Sequence, residues 1–305
     1  MGLLSDPENG GSYNIRLVQV TIYATIFPVG AVFNVLALWV FCCKLKKWTE
    51  TKVYMINLII ADCSVVATLP FTVYLLWNEW QRDTLCLIIQ SIYYVNMSMS
   101  IYIITLISID RYIAIKYPLK AKSIRSPWKS SLICGLLWIS VITGLTLKPN
   151  ANEPLCFQKV STTPSNTVLC LFFVVFLIPL IIMSFCSMHV IKSLKKKMIM
   201  NPHGKKLMEK AIYIISANMI VFVVCFLPAQ TGMLARYVME KYVVNCSTIR
   251  NVKIFISLST CIANSNCCLD AICYYFVATE FQEVSLPKPK SYHPKTIQTH
   301  TSQMF

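Results

Sequence analysis

The sequence predicts an all-α membrane protein: a seven-transmembrane helix bundle with a short amphipathic eighth helix. Three observations carry that reading. Hydrophobic residues make up 56% of the 305-residue chain and charged residues only 13%, about half the charged share of an ordinary soluble domain. The apolar residues gather into seven blocks, each long enough to cross a hydrocarbon core that takes about 20 residues of helix. Most basic residues fall in alternate loops, so the net charge of +15 reflects orientation in a membrane and not binding to nucleic acid.

In order, the blocks run over 17–43, 52–76, 85–115, 129–149, 165–192, 207–239 and 250–275. Residues 1–16 are a polar N-terminal segment with Asp6 and Glu8. They lack the basic-then-apolar pattern of a cleaved signal peptide, so the first span serves as its own signal. Span one carries Gly30-x-x-x-Asn34, and span two Asn57, Asp62 and Pro70. Span three starts at Cys86, holds Tyr93, Tyr94, Asn96, Met97 and Ser100, and ends on Asp110-Arg111-Tyr112. Trp138 marks span four, Pro179 span five, Phe222, Phe226, Pro228 and Arg236 span six, and Asn264, Asn266, Asp270 and Tyr274 span seven. Phe276 to Val284 reads as an amphipathic helix on the membrane surface. The spans and this helix make one domain, 17–284, followed by a disordered cytoplasmic tail, 285–305, rich in Pro, Lys, Ser and Thr.

Seven spans put the two ends on opposite sides. Lys44, Lys46, Lys47 and Lys52 share a side with Arg111 to Lys129, with Lys192 to Lys210 and with the tail lysines. That side is cytoplasmic by the positive-inside rule, and the N-terminus is extracellular.

Most of the 14 cysteines lie inside spans, where Cys acts as a small apolar residue. Cys86 and Cys156 fall together on the oxidising outer side and are expected to form a disulfide. Cys246 shares that side without an evident partner, and Asn245-Cys246-Ser247 there is an N-glycosylation acceptor.

Polar groups inside spans are expensive and point to function. Asp62, Asn96, Ser100, Asn266 and Asp270 supply oxygens that suit a small hard cation such as sodium, or else they are hydrogen-bond glue between helices. Proline kinks the sixth span at Pro228, with Phe222 and Phe226 just before it, giving a hinge that can have two arrangements. Basic Lys148 and Arg236 at the outer ends attract an anion, with Tyr93 and Tyr94 beneath and Met97 as an apolar floor. Enzyme chemistry is not expected, because His189 is the one histidine near a span and no serine pairs with it. The alternative is a secondary transporter of small organic anions. Its signature of two related, glycine-interrupted halves is not evident with only 8 glycines.

One marker per span, in this order, resembles the rhodopsin-like (class A) G-protein-coupled receptors over residues 17–284. The markers are Asn34, Asp62, Asp110-Arg111-Tyr112, Trp138, Pro179, Cys225-Phe226-Leu227-Pro228 and Asp270-x-x-x-Tyr274. The resemblance implies a plasma-membrane receptor for an acidic small molecule or lysophospholipid, coupled to inhibitory or Rho-activating G proteins and binding arrestin through a phosphorylated tail. It implies that Asp110 holds Arg111 at rest, and that Arg111, Tyr112 and Tyr274 belong to the coupling machinery. Beyond membrane lipids, a possible allosteric sodium ion is the only further ligand it implies. Three departures stand out: Phe226 where the family usually has Trp, Asp270-Ala271 where it has Asn-Pro, and Met97 where near relatives have Arg.

Overall fold

Short polar side chains and prolines set where the helices begin. A computed structural model of the chain describes residues 7–45, 48–146, 156–157, 164–200, 204–242 and 246–273. Helix α1 spans Pro7–Trp39 and runs into a π-helical turn, Val40–Lys44. Helix α2, Glu50–Trp77, starts behind Thr49, whose hydroxyl accepts from the Lys52 amide at 3.2 Å. Helix α3, Thr84–Lys116, starts behind Asp83, whose carboxylate accepts from the Cys86 amide at 2.8 Å. These side chains satisfy amides that a first helical turn leaves unpaired. Pro118 opens the short α4, Pro118–Ile124, and Pro127 opens α5, Pro127–Thr146, because a proline there forfeits no hydrogen bond.

The fifth crossing is built in pieces: α6, Asn166–Leu171, a π-helical turn, Phe172–Leu177, and α7, Ile178–Met200. The π turn stands just ahead of Pro179, whose ring clashes with the carbonyl of a regular preceding turn. Helix α8, Lys205–Lys241, contains Pro228. Helix α9, Cys246–Asn264, is followed by a turn at Ser265, and helix resumes over 266–273.

These elements make seven crossings in antiparallel succession. Six of the helical stretches have the length and composition to cross a membrane; the remaining crossing is the 20-residue α5. The expected block limits that fall on described residues are met within a few residues, except at the start of the first crossing and at the end of the fifth, where α7 runs on to Met200 against an expected 192. α1 is helical from Pro7, well ahead of the apolar block; Pro7 suits a first helical position, and the helix runs on through Gly10 and Gly11. Helix α4 had no signal of its own, since its residues are basic and interfacial. The expected surface helix 276–284, Tyr274 and the tail lie outside the described residues, as do Lys148 and Asn245.

The packing is that of a protein in lipid. Val35, Leu36, Leu136, Ile139, Ile181 and Ile220 are more than half exposed, whereas a soluble protein would bury them. The core instead lies along the bundle axis, where Phe41, Met55, Leu58, Met99, Phe176, Phe222 and Phe226 are fully buried. Two glycines permit close helix approach. A Cβ on Gly30 would sit 2.9 Å from Val66 Cγ2, and one on Gly232 would sit 2.9 Å from Ile256 Cγ1, so α1 touches α2 and α8 touches α9 backbone to side chain. Amides tie the crossings together: Asn34 Nδ2 donates to the Cys267 carbonyl at 2.9 Å, Trp138 Nε1 to Asn57 Oδ1 at 3.1 Å, and Asn264 Nδ2 to the Tyr23 hydroxyl at 3.0 Å.

Candidate functional site

The polar residues singled out in the spans fall at three levels of the bundle, and the level at the end of α2 and the start of α3 is closed by a covalent link. Cys86 and Cys156 form a disulfide with their Cα atoms 5.8 Å apart, as the sequence predicts. The Cys156 amide also donates to the Trp80 carbonyl at 3.0 Å. Phe157, next to it, has φ of 59°, a left-handed conformation that costs a non-glycine residue about 1–3 kcal/mol. That conformation lets its ring pack against both the disulfide cluster and the cluster containing Tyr93. Nothing in the sequence singled out Phe157, because its place at the rim comes from tertiary packing and not from a local motif.

Asp83 belongs to the same rim. The Cys86 amide and the Trp80 indole, the latter at 3.0 Å, hold its carboxyl below the usual carboxylate range.

Below the rim lie the expected ligand residues. The Tyr93 and Tyr94 rings meet edge to face, their centroids 5.6 Å apart. The Tyr93 hydroxyl is buried, beside Thr260. Met97 is buried, and its sulfur accepts from Gln230 Nε2 at 3.7 Å. Gln230, two residues past Pro228, therefore joins the floor from α8, a contact that the sequence did not reveal. Arg236 lies on α8 toward the same end, and its Nε donates to Glu240 Oε1 at 2.6 Å. The pair is well shielded, with side chains 13% and 2% exposed. An internal counter-ion for Arg236 was not anticipated, although the i, i+4 spacing that permits it is visible in the sequence.

At mid-depth Asn96 Nδ2 donates to Asp62 Oδ1 at 3.1 Å, and Asn266 Nδ2 to Asp270 Oδ2 at 2.7 Å. All four are buried with Ser100. Ser100 Oγ and Asn266 Oδ1 have no hydrogen-bond partner among the described residues, so this layer keeps oxygen capacity that those residues do not use.

Ahead of Pro228 on α8 runs an aromatic column. Phe176 stacks on Phe222 at 5.9 Å between centroids, with planes 8° apart, and Phe222 meets Phe226 at 5.4 Å. Phe222 and Phe226 were expected next to Pro228. Phe176 and its neighbour Phe172, at 5.8 Å, are added by the π turn, which rotates that segment inward.

The opposite end, where α3 finishes, carries Asp110, Arg111 and Tyr112. Both carboxylate oxygens of Asp110 accept from Arg125, at 2.7 and 2.8 Å. The sequence leads one to expect that Asp110 holds its neighbour Arg111; the structure shows a grip on Asp110 from Arg125, in the turn after α4. Adjacent residues on a helix diverge by about 100°, so a carboxylate more readily meets a group from another element. Arg111 lines a shallow cleft together with Met55, Ile107, Ser187, Val190 and Asn218. Tyr112 turns toward α7 and packs against Phe185 and His189, at 5.8 and 6.1 Å between centroids.

This arrangement supplies a shielded cation and a buried phenol at one end, a two-carboxylate layer with a kinked aromatic column in the middle, and an arginine-lined cleft at the other. Such a set can bind an anion and transmit its arrival. The family model described as 7 transmembrane receptor (rhodopsin family) matches residues 33–274. The chain is 36% identical to G-protein coupled receptor 35 of Homo sapiens over 274 residues, 89% of this chain and 87% of that one. It is 33% identical to G-protein coupled receptor 55 of Mus musculus over 301 residues, 92% and 91% of the two chains. Lysophosphatidic acid receptor 4 of Homo sapiens is 33% identical over 277 residues, 86% of this chain and 75% of its own.

Proposed function

Because the chain belongs to the rhodopsin family of seven-transmembrane receptors, we propose that it detects an extracellular acidic small molecule or lysophospholipid and activates inhibitory or Rho-activating G proteins. The family itself establishes a multi-pass plasma-membrane receptor for a lipid or small molecule, with an agonist and a G protein as partners, and not an enzyme. It also sets aside the transporter alternative. An extracellular N-terminus and disulfide rim are supported by the lysines concentrated around the opposite end.

Arg236 is the observation that carries the ligand class. A guanidinium shielded to 13% exposure gains more from a second anion than one in water, because the local dielectric is lower. Lysophosphatidic acid, in the name of one relative, is an anion with an acyl body, and the apolar Met97 floor suits such a body. The Tyr93 hydroxyl offers a hydrogen bond beneath the acid, and Lys148 a second charge. At the other end, the Arg111 cleft is the docking place for the G protein, with Tyr112 near it and Tyr274 as a further member of the coupling machinery. A phosphorylated tail would recruit arrestin, and Asn245 would carry a glycan.

The residues present fit an allosteric sodium ion. Asp62, Asp270, Asn96, Asn266 and Ser100 would hold it through oxygen donors, two of which have no other partner among the described residues. When bound, it supplies positive charge that offsets the two buried carboxylates. Removing Asp62 as Asp62→Asn should abolish any effect of sodium on agonist binding, whereas an unchanged sodium response would separate the ion from this layer.

The deciding experiment measures G-protein activation in cells expressing the chain, against carboxylates, lysophospholipids and their neutral and amine analogues. Acids are expected to activate and amines to fail. Activation by amines, or by neutral analogues as potently as by acids, would overturn the reading.

A further inference from the structure

Cys42 and Cys43 stand side by side in the π-helical turn that ends the first crossing, and both are exposed free thiols. Phe41 just before them is buried in the core, with only 1% of its surface exposed. A helix turns about 100° per residue, so anchoring Phe41 inward directs the next two side chains away from the bundle. Their depth is marked on both sides. Lys44 Nζ sits 4.8 Å above the Trp39 ring and Lys52 Nζ 4.3 Å above the Trp48 ring, and half-exposed tryptophans with lysines are the usual residents of the head-group layer. Lys52 Nζ also donates to the Leu45 carbonyl at 2.7 Å, holding the chain just past the cysteines against α2. The third exposed free cysteine among the described residues, Cys170, lies on α6 toward the disulfide end, away from these lysines.

We propose that Cys42 and Cys43 are a reversible S-acylation site, carrying a long-chain fatty acyl group delivered from a fatty acyl-coenzyme A thioester by an acyltransferase. A thiolate of the pair attacks the acyl carbonyl, a new carbon–sulfur bond forms, and the bond to the coenzyme A sulfur breaks. Coenzyme A leaves as its thiolate and takes up the proton, so no oxidant is needed. The chemistry requires a thiol at the membrane surface with room for an acyl chain to lie in lipid, and a basic surround that keeps the segment against anionic head groups. The proposal rests on the orientation that puts this end in the cytoplasm, where acyl-coenzyme A is found.

The test labels cells expressing the full chain with an alkynyl fatty acid, captures the receptor through an N-terminal epitope, and reads the label with and without hydroxylamine, which cleaves thioesters. The wild type is expected to carry hydroxylamine-sensitive label. Cys42→Ser with Cys43→Ser should lose it, each single variant should keep part, and Cys170→Ser should keep all. Substitution at exposed positions spares the core, and surface staining of the epitope on intact cells checks both expression and orientation. Full label on the double variant overturns the proposal. So does an unlabelled wild type with an extracellular epitope; an unlabelled wild type with an intracellular epitope overturns the orientation and, with it, this site.

Discussion

Asp110 and Arg125 meet as a fork, Nε donating to Oδ1 at 2.7 Å and Nη2 to Oδ2 at 2.8 Å. Glu50 at the start of α2 reaches the same guanidinium at 3.4 Å, so one arginine ties the turn after α4 to both α2 and α3. Paired planar groups of this kind are the stronger ion pairs. A resting receptor held by this fork should be released when it is cut. Arg125→Ala and Asp110→Asn should each raise agonist-independent G-protein activation, by about tenfold where the lost interaction is ~1.4 kcal/mol. Arg125→Lys, which cannot fork, should fall between. Combining both changes should add little beyond either one, since they remove the same contact. Basal signalling that stays at the wild-type level in both single variants, at equal surface expression, would reduce the fork to loop anchoring.

Where the sequence was informative, a residue type could play one part only. Asp62, Asn96, Asn266 and Asp270 are too polar for lipid, so burial inside the bundle follows from where they fall in the spans. The same logic places Cys86 with Cys156. What stayed hidden depends on rotation and on distant partners. Phe176 joins Phe222 because a π turn ahead of Pro179 turns it inward, and one phenylalanine in an apolar run looks like its neighbours. Arg125 was counted among the loop charges that set orientation, yet its charge is spent on Asp110. Gln230 and Phe157 gained their roles from Met97 and from the disulfide, contacts across more than a hundred residues or across a strained turn that no spacing rule encodes.

The aromatic column should be both structural and conductive. Phe176 and Phe222 are 1% and 0% exposed, so Phe176→Ala or Phe222→Ala should cost about 3–5 kcal/mol of stability as cavities open. Thermal unfolding of detergent-solubilised receptor measures this. Restoring the residue common in the family, Phe226→Trp, should also destabilise, by about 1–3 kcal/mol, because the indole overfills a site shaped around Phe222. A stable Phe226→Trp variant with wild-type signalling would show that the column has slack.

Asp83 provides a pH-dependent contribution at the rim. Its carboxyl is held below the usual range by the Cys86 amide and then by the Trp80 indole. A folded-state value below the unfolded one means that the ionised cap stabilises above the ordinary carboxylate value of about 3.9 and ceases to do so as the pH falls through the folded value. Asp83→Ala should therefore lower the thermal midpoint at neutral pH, with the gap to wild type closing in acid. A gap that is the same at both pH values would mean that the side chain acts by packing and not by charge.

Glu240 should set the strength of the anion site by competing for Arg236. The two side chains share a hydrogen bond of 2.6 Å in a shielded setting, so an incoming carboxylate or phosphate must share the guanidinium with a resident anion. Removing the resident charge while keeping its shape, Glu240→Gln, should raise the potency of an acidic agonist. Arg236→Ala should lower potency roughly ten- to a hundredfold, the value of a charge-assisted hydrogen bond of about 1.5–3 kcal/mol. Arg236→Lys should lie between, since an ammonium keeps the charge but not the fork. The opposite signs of the Glu240 and Arg236 effects are what distinguish competition from mere support. Were Glu240→Gln to weaken the agonist as much as Arg236→Ala does, the pair would be a strut of α8, and the acid would be bound elsewhere. Dose–response curves for all three variants against one acidic agonist, normalised to surface expression, separate the two cases.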